Sequence, residues 1–333
     1  MPYLGEFYGL TTRQMTETVR LFPTKEYVGR QLFSGPQPVA AKTAAWDVVE
    51  GARTLAPFGV KATEAHIQKL KKRKRITSEL LHINEKKAID EATRHFVERI
   101  GEFDEPYGEQ MLTDELADLV RTVENTKEWA RWYAMTRGKL DIVQEDPALQ
   151  ISIDYGFTAS HLPEKTGTGR WTDQANSTPL SDLLTWRRLI SRDSWLTPGK
   201  AFLTSVGMQH LVENDNIQTL LQYTIGNQIG AEGVITRLAG IDLTVYDVNY
   251  VDSAAVVQQF IPDDMLVMVA REPIGREFMG QVDVKDGEAV RTQMGLSSYS
   301  FSTDDPVDIW MVVKDAWLPA IQIPDGIVAA RIY

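Results

Sequence analysis

One long run of helical periodicity limits what this 333-residue chain can fold into more than any other stretch. In residues 113–137, apolar side chains recur every three or four positions, which predicts an amphipathic helix of about six turns with one buried stripe. Thr113 is suited to cap this helix and Gly138 to end it. The stripe consists of Leu116, Leu119, Val120, Val123, Ala130, Tyr133 and Ala134. Basic residues that favour the negative end of the helix dipole are Lys127, Arg131 and Arg137.

After Gly138 the period changes from helical to alternating. Residues 139–143 and 151–155 predict the two strands of a hairpin, with Pro147 in the connecting turn. A helix of this length beside a hairpin is typical of a structural strut. We therefore expect a scaffold role for the whole stretch.

Composition excludes several classes of protein. The chain contains no cysteine, so it forms no disulfide, thiolate nucleophile or zinc–thiolate site. No apolar run approaches the ~18 residues of a membrane span, and the N-terminus lacks the basic-then-apolar order of a secretory signal, so we expect synthesis in the cytoplasm and no membrane partner. The formal net charge of -11 argues against tight wrapping of nucleic acid, because such proteins present a basic face to phosphates.

The first 84 residues contain little that forms a core by itself. Residues 1–41 carry one short helix candidate, residues 11–22, and then proline- and glycine-rich segments, which predicts an arm that lies on another surface. Residues 43–50 and 75–83 predict two strand-like legs. The polar excursion between the legs is too long for an ordinary hairpin loop.

A basic cluster lies near the end of this excursion in an otherwise acidic protein. Its position predicts contact with an acidic face of a neighbouring subunit. A solvated strand edge that is protected from aggregation and a contact with phosphates are the alternatives. The cluster consists of Lys69, Lys71, Lys72, Arg73, Lys74 and Arg75.

Helices and short strands alternate in the rest of the chain. Further helices are predicted over residues 86–103 and 179–191, and another is predicted to begin at Thr197 with Pro198 in its first position. Pro319 is expected at a strand boundary, where a missing amide donor is tolerated. Strands are predicted at residues 243–248, 256–260, 265–270, 307–314, 318–323 and 327–332, with a hairpin over 282–290.

The sequence contains no recognisable catalytic constellation. Its five histidines show no ligand spacing, and no nucleophile elbow or phosphate-binding motif is present. The adjacent carboxylates at residues 263–264 and 304–305 are assigned to turns. We expect no catalytic residue, cofactor or metal. The histidines are His66, His82, His95, His161 and His210.

The order of these parts resembles the major capsid proteins of tailed phages with the Hong Kong 97 type of shell fold, and most closely the lambda-like capsid protein E family. Residues 42–84 match the family's extended loop, and residues 114–137 match its spine helix, which runs into the hairpin GKLDI…QISIDYG. Three more stretches carry the resemblance: LTPGKAFLTSV, FIPDDMLVMVA and PVDIWMVVKDAWLPAIQIPDGIVAARIY.

This resemblance implies an α+β fold with an N-terminal arm (residues 1–41), an extended loop (42–84), a peripheral domain with the spine helix and hairpin (85–178), an apical domain (179–300) and closing strands of the peripheral domain (301–333). It also implies a non-enzymatic major capsid protein that assembles into hexamers and pentamers of an icosahedral virion shell in the host cytoplasm.

The partners implied are other copies of the chain, a portal protein, a separate scaffolding protein and a decoration protein. Packaged double-stranded DNA is loosely contacted, and the shell is expected to be noncovalent. Two alternatives stay open: an encapsulin-like compartment that holds enzymes, and an unrecognised α/β enzyme with a pocket of convergent polar groups.

Overall fold

The computed structural model describes residues 6–7, 10–22, 27–49, 73–89, 105–143, 150–224, 235–252, 254–287, 289–303 and 309–333. In its N-terminal part, Thr11 caps the first helix through a reciprocal pair of hydrogen bonds with Gln14, at 3.3 and 2.8 Å. The elements are β1 (Glu6–Phe7), β2 (Leu10–Thr11), α1 (Thr12–Leu21), β3 (Phe33–Pro38), β4 (Thr43–Val49), β5 (Arg73–Glu79) and β6 (Leu81–Ile89).

The predicted legs at residues 43–50 and 75–83 are strands, but the second leg is divided. β5 pairs with β4, whereas β6 pairs with a C-terminal strand over Leu81–Ile89. The helix predicted over residues 86–103 is therefore wrong for residues 86–89, because ladder pairing outweighs the local helical pattern there. Residues 90–103 lie outside the described part of the chain.

The long helix α2 (Glu105–Arg137) has 33 residues, so it begins well before the predicted cap. Thr113 lies inside the helix rather than at its N-terminus, and that prediction is wrong. Pro106 falls in the first turn, where amide groups lack intrahelical partners and a proline is tolerated. The predicted stripe is buried except for Tyr133, which is half-buried. β7 (Lys139–Val143) and β8 (Gln150–Asp154) form the predicted hairpin.

The middle of the chain contains one clear error of the sequence analysis. Pro198–Leu203 is a strand, and the helix begins only after Thr204, whose hydroxyl accepts a hydrogen bond from the Gly207 amide at 3.4 Å. Five of the strand's six residues are buried, and this burial overrides the Thr-Pro start signal. The elements are α3 (Pro179–Asp193), β9 (Pro198–Leu203), α4 (Ser205–Glu213), α5 (Asp215–Thr224), β10 (Arg237–Leu238), β11 (Ile241–Val245), β12 (Asn249–Val251) and β13 (Val257–Gln259).

The C-terminal part consists of strands, and Pro319 lies inside one of them rather than at a boundary. The Pro319 carbonyl accepts a hydrogen bond from the Tyr155 hydroxyl at 2.6 Å, so the backbone polar groups of Pro319 face away from the paired strand and no ladder bond is lost. The strands are β14 (Met265–Ala270), β15 (Gly275–Met279), β16 (Gln281–Asp286), β17 (Ala289–Met294), β18 (Ser297–Ser302), β19 (Ile309–Ile321) and β20 (Ile327–Arg331).

Two five-stranded sheets organise these elements. The first has the order β10-β11-β9-β14-β20, and α3 and α4 pack against it in one apolar cluster. The second has the order β18-β19-β15-β3, with β6 also paired to β19. The C-terminal half of α2 joins the sheets, since Trp132 packs in one core cluster with Phe202 of β9 and Trp317 of β19. The N-terminal half of α2 packs instead with Met15 of α1 and Met311 of β19.

Candidate assembly surface and buried ion network

The β4–β5 hairpin is fixed to the body of the subunit at its base. Trp46 of β4 is buried, and its indole N–H donates to the Ile321 carbonyl at 3.2 Å. Its ring lies 6.1 Å from that of Phe278 and 6.2 Å from that of Tyr155. These aromatic contacts fix the base of the hairpin to β15 and to Tyr155, the residue that follows β8.

The strand register divides the basic cluster between two faces of the hairpin. Lys74 pairs with Val48, which is buried, so Lys74 lies on the face toward the body. Its ammonium lies 3.6 Å from the position that a Cβ on Gly156 would occupy. Arg73 and Arg75 alternate with Lys74 and lie on the opposite face, although all three residues are exposed.

On the face that carries Arg73 and Arg75, the two arginines lie beside one carboxylate, that of Asp47. Arg73 forms an ion pair with Asp47 at 3.8 Å, and these side chains are 66% and 41% exposed. Within the described part of the chain, neither Lys74 nor Arg75 forms an ion pair with a carboxylate. Lys69, Lys71 and Lys72 of the predicted cluster lie outside the described residues. The six predicted residues are thus not one surface, because the three that are described point to two faces.

A second charged feature is buried and was not predicted from the sequence. Lys127 of α2 contacts Glu124 at 2.7 Å and Asp315 of β19 at 2.5 Å. One turn later, Arg131 contacts Glu128 at 3.0 Å and Glu277 of β15 at 2.7 Å. We call Glu124, Lys127, Glu128, Arg131, Glu277 and Asp315 the ion network. It ties the helix to two strands of the second sheet.

Glu128 extends the ion network beyond that sheet. One of its carboxylate oxygens accepts from the Gly29 amide at 2.8 Å, the Trp132 indole at 2.7 Å and the Tyr246 hydroxyl at 3.0 Å. Gly29 belongs to the arm, and Tyr246 follows β11 of the first sheet. A Cβ on Gly29 would lie 2.7 Å from the same oxygen, so the close approach requires glycine. One side chain therefore fixes the arm, the helix and the first sheet to each other.

Burial and ion pairing have opposite effects on the pKa values of the ion network. Burial disfavours the charged form of Glu124, but the attraction of Lys127, Arg131 and Arg30 is stronger, and the pKa of Glu124 is lowered. Burial likewise disfavours charged Lys127, but Asp315 and Glu124 raise the pKa of Lys127 above its ordinary value. Both groups are ionised at neutral pH.

The sequence carried a signal for this network. Glu124, Lys127 and Arg131 follow Val120 at helical spacing, so they continue the apolar stripe of α2 into its C-terminal half. Charged residues on an apolar stripe indicate buried ion pairs. The prediction that Lys127 and Arg131 interact with the helix dipole therefore leaves out their main partners, which are buried carboxylates.

The other predicted features have structural roles. His161 is buried between the Ile327 carbonyl at 2.7 Å and the Asp193 carboxylate at 3.2 Å. Among the described residues, no group of three or more histidine and acidic side chains has an arrangement that holds a metal. No helix in the described ranges has the length and apolarity needed to cross a membrane.

The long helix that joins two sheets, the anchored hairpin and the arm are the parts expected of a phage shell subunit. A family model described as phage major capsid protein E matches residues 11–332. The chain belongs to the phage major capsid protein E family. It is a structural protein of the capsid shell, as the resemblance implied.

Solved structures confirm the Hong Kong 97-type fold of this capsid protein. A prophage protein of Escherichia coli CFT073, assigned as a capsid protein, is 14% identical with a TM-score of 0.65, over 97% of this chain and 99% of that one. A phage-related protein of Bordetella bronchiseptica RB50 is 12% identical with a TM-score of 0.57, over 95% of each chain. The capsid structure of cyanophage P-SCSP1u gives 12% identity and a TM-score of 0.51, over 93% and 90%.

Proposed function

We propose that this capsid protein assembles into hexamers and pentamers of an icosahedral shell, and that the exposed face of the β4–β5 hairpin contacts carboxylates of a neighbouring subunit. The observation that carries this proposal is the pair Arg73 and Arg75, which lie exposed on a hairpin whose base is fixed by Trp46. A pair of exposed arginines on an anchored hairpin, in a chain of net charge -11, is suited to contact carboxylates on another copy.

The rest of the division predicted from the sequence belongs to the same proposal. The arm, the extended loop at residues 42–84 and the peripheral and apical domains are proposed as given above, except that the divisions after residues 84 and 300 fall inside β6 and β18 and belong at the ends of those strands. The protein is not an enzyme, its shell is noncovalent, and it assembles in the host cytoplasm with a scaffolding protein, a portal protein and a decoration protein. DNA is held loosely, because an acidic wall repels phosphates.

The contact is tested by charge reversal. We expect Arg73→Glu/Arg75→Glu to lower the yield of sedimenting particles about tenfold, since two surface pairs contribute up to about 2 kcal/mol per subunit. Thermal unfolding of the unassembled subunit is expected to stay within about 2 °C of the wild type. Arg13→Glu/Arg188→Glu is the matched control, because both residues are exposed and the change in net charge is the same.

Salt provides an independent measurement. Raising the ionic strength from 0.05 to 0.5 M, on the order of a threefold decrease in Debye length, is expected to weaken assembly of the wild type and to leave subunit unfolding unchanged. Undiminished particle yield in the charge-reversed variant contradicts the contact. Particles that protect an enzyme cargo rather than DNA from digestion favour the encapsulin-like alternative.

A further inference from the structure

A cavity of about 160 Å³ lies between the arm and the ion network. The arm contributes Arg20, Phe22, Arg30 and Pro36 to its walls, and α2 and the second sheet form the opposite side. This volume is well above the ~10–15 Å³ that one water molecule needs by the same measure. The cavity therefore has room for several waters or for one small polar group.

Two residues that line this cavity each carry a buried polar atom with no hydrogen-bond partner in the described part of the chain. The atoms are Oδ1 of Asp315 and Nε1 of Trp317, in residues that are 2% and 3% exposed. The two residues are two positions apart on β19, so their side chains share a face. One atom is an acceptor and the other a donor, and leaving either one unpaired is costly. The remaining oxygen of Asp315 contacts Lys127.

The charges around the cavity decide what kind of group it takes. Four cationic side chains and three carboxylates line it, and Glu128 lies behind Arg131, so the charges balance. Such balanced surroundings stabilise neither a bound anion nor a bound cation. A neutral group that both donates and accepts fits the two unpartnered atoms. The lining charges are Arg20, Arg30, Lys127, Arg131, Glu124, Glu277 and Asp315.

We propose that the cavity binds a cluster of ordered water that accepts from Trp317 Nε1 and donates to Asp315 Oδ1. The ion network is then complete only with this water. Phe22, Arg30 and Pro36 of the arm rest on a hydrated contact there, whereas α1 is held by apolar packing of Met15 and Val19.

Electron cryomicroscopy of the assembled full-length protein, at a resolution that shows water, tests the site directly. We expect density within hydrogen-bond distance of both Asp315 Oδ1 and Trp317 Nε1. An empty cavity, direct bonding of the two atoms to protein groups, or a side chain of another copy in the cavity overturns the proposal.

Matched tryptophan variants give a second measurement. Trp317→Phe and Trp46→Phe remove the same atoms from residues that are both 3% exposed, and the Trp46 N–H has a protein acceptor. If water accepts from Trp317, both variants lower the Tm of the subunit by amounts that agree within about 2 °C. If the Trp317 N–H lacks a partner, Trp317→Phe lowers the Tm by several degrees less than Trp46→Phe, because it also removes an unpaired donor. That result overturns the proposal.

Discussion

Replacing Lys127 by methionine removes the one ammonium that holds two buried carboxylates together. The Lys127 and Glu124 side chains are each 8% exposed and that of Asp315 is 3% exposed, with contacts of 2.7 and 2.5 Å. Methionine keeps most of the length of lysine, so the change removes a charge rather than creating a large cavity. Breaking a buried pair by removing one partner costs about 3–5 kcal/mol, and we expect Lys127→Met to lower the free energy of unfolding by that amount.

Urea denaturation of the unassembled subunit at pH 7, followed by tryptophan fluorescence, measures this loss. Arg121→Met is the matched control, because Arg121 lies on the same helix and contacts Asp118 at 2.9 Å, but the two side chains are 67% and 56% exposed. An exposed pair contributes about 0–1 kcal/mol. If the two variants lose the same free energy, the ion network does not stabilise the fold and the reasoning is refuted.

The pH dependence of the free energy of unfolding gives a second check, because the direction of each pKa shift determines how stability changes with pH. The pKa of Glu124 is lowered, so its stabilisation is present above the ordinary value of 4.5 and is lost as pH falls through the folded value. The pKa of Lys127 is raised, so its stabilisation is present below 10.5 and is lost as pH rises through the folded value. In Lys127→Met the carboxylates have no ammonium to pair with. The deficit of this variant is therefore expected to shrink in acid, as the Glu124 carboxylate becomes protonated.

Three further variants test the packing. Leu119→Ala, in the buried stripe of α2, is expected to cost about 2–5 kcal/mol in urea denaturation, and a loss under ~0.5 kcal/mol contradicts the burial. Gly275→Ala places a Cβ 2.3 Å from the Ala320 carbonyl oxygen, so we expect a lower subunit Tm, while Gly35→Ala, with no atom within 4 Å, serves as its control. Tyr155→Phe removes the hydrogen bond to Pro319 and is expected to cost about 1 kcal/mol in the same denaturation assay; an unchanged midpoint argues against that bond.

The long elements with strong periodicity were predictable from the sequence. The α2 helix ends at Arg137 as Gly138 indicated, and α3 begins at Pro179 as expected. Both helices have an apolar stripe that local spacing reveals. The start of α2 was missed because Thr113 is a good cap residue in isolation, and nothing local shows that the helix continues beyond it.

The errors occurred where distant strands decide the local structure. Residues 198–203 were predicted to begin a helix. They form the central strand of the first sheet instead, because β11 and β14 pair with them on either side. Pro319 read as a strand end, yet its strand continues because its missing donor faces away from β15. Partners more than 40 residues away determine both outcomes, and single-sequence periodicity does not contain them.

The basic cluster at the proposed assembly surface was also only partly predictable from the sequence. Its existence follows from composition, but the division between Arg73 and Arg75 on one face and Lys74 on the other follows only from the pairing of β5 with β4. A charge reversal that includes Lys74 also changes the face that Lys74 shares with Val48, near Gly156, so it does not isolate the face that carries Arg73 and Arg75. Reversal of Arg73 and Arg75 alone changes only the face opposite Val48. If Arg73 and Arg75 carry the contact, adding Lys74→Glu causes no further proportionate loss of particles.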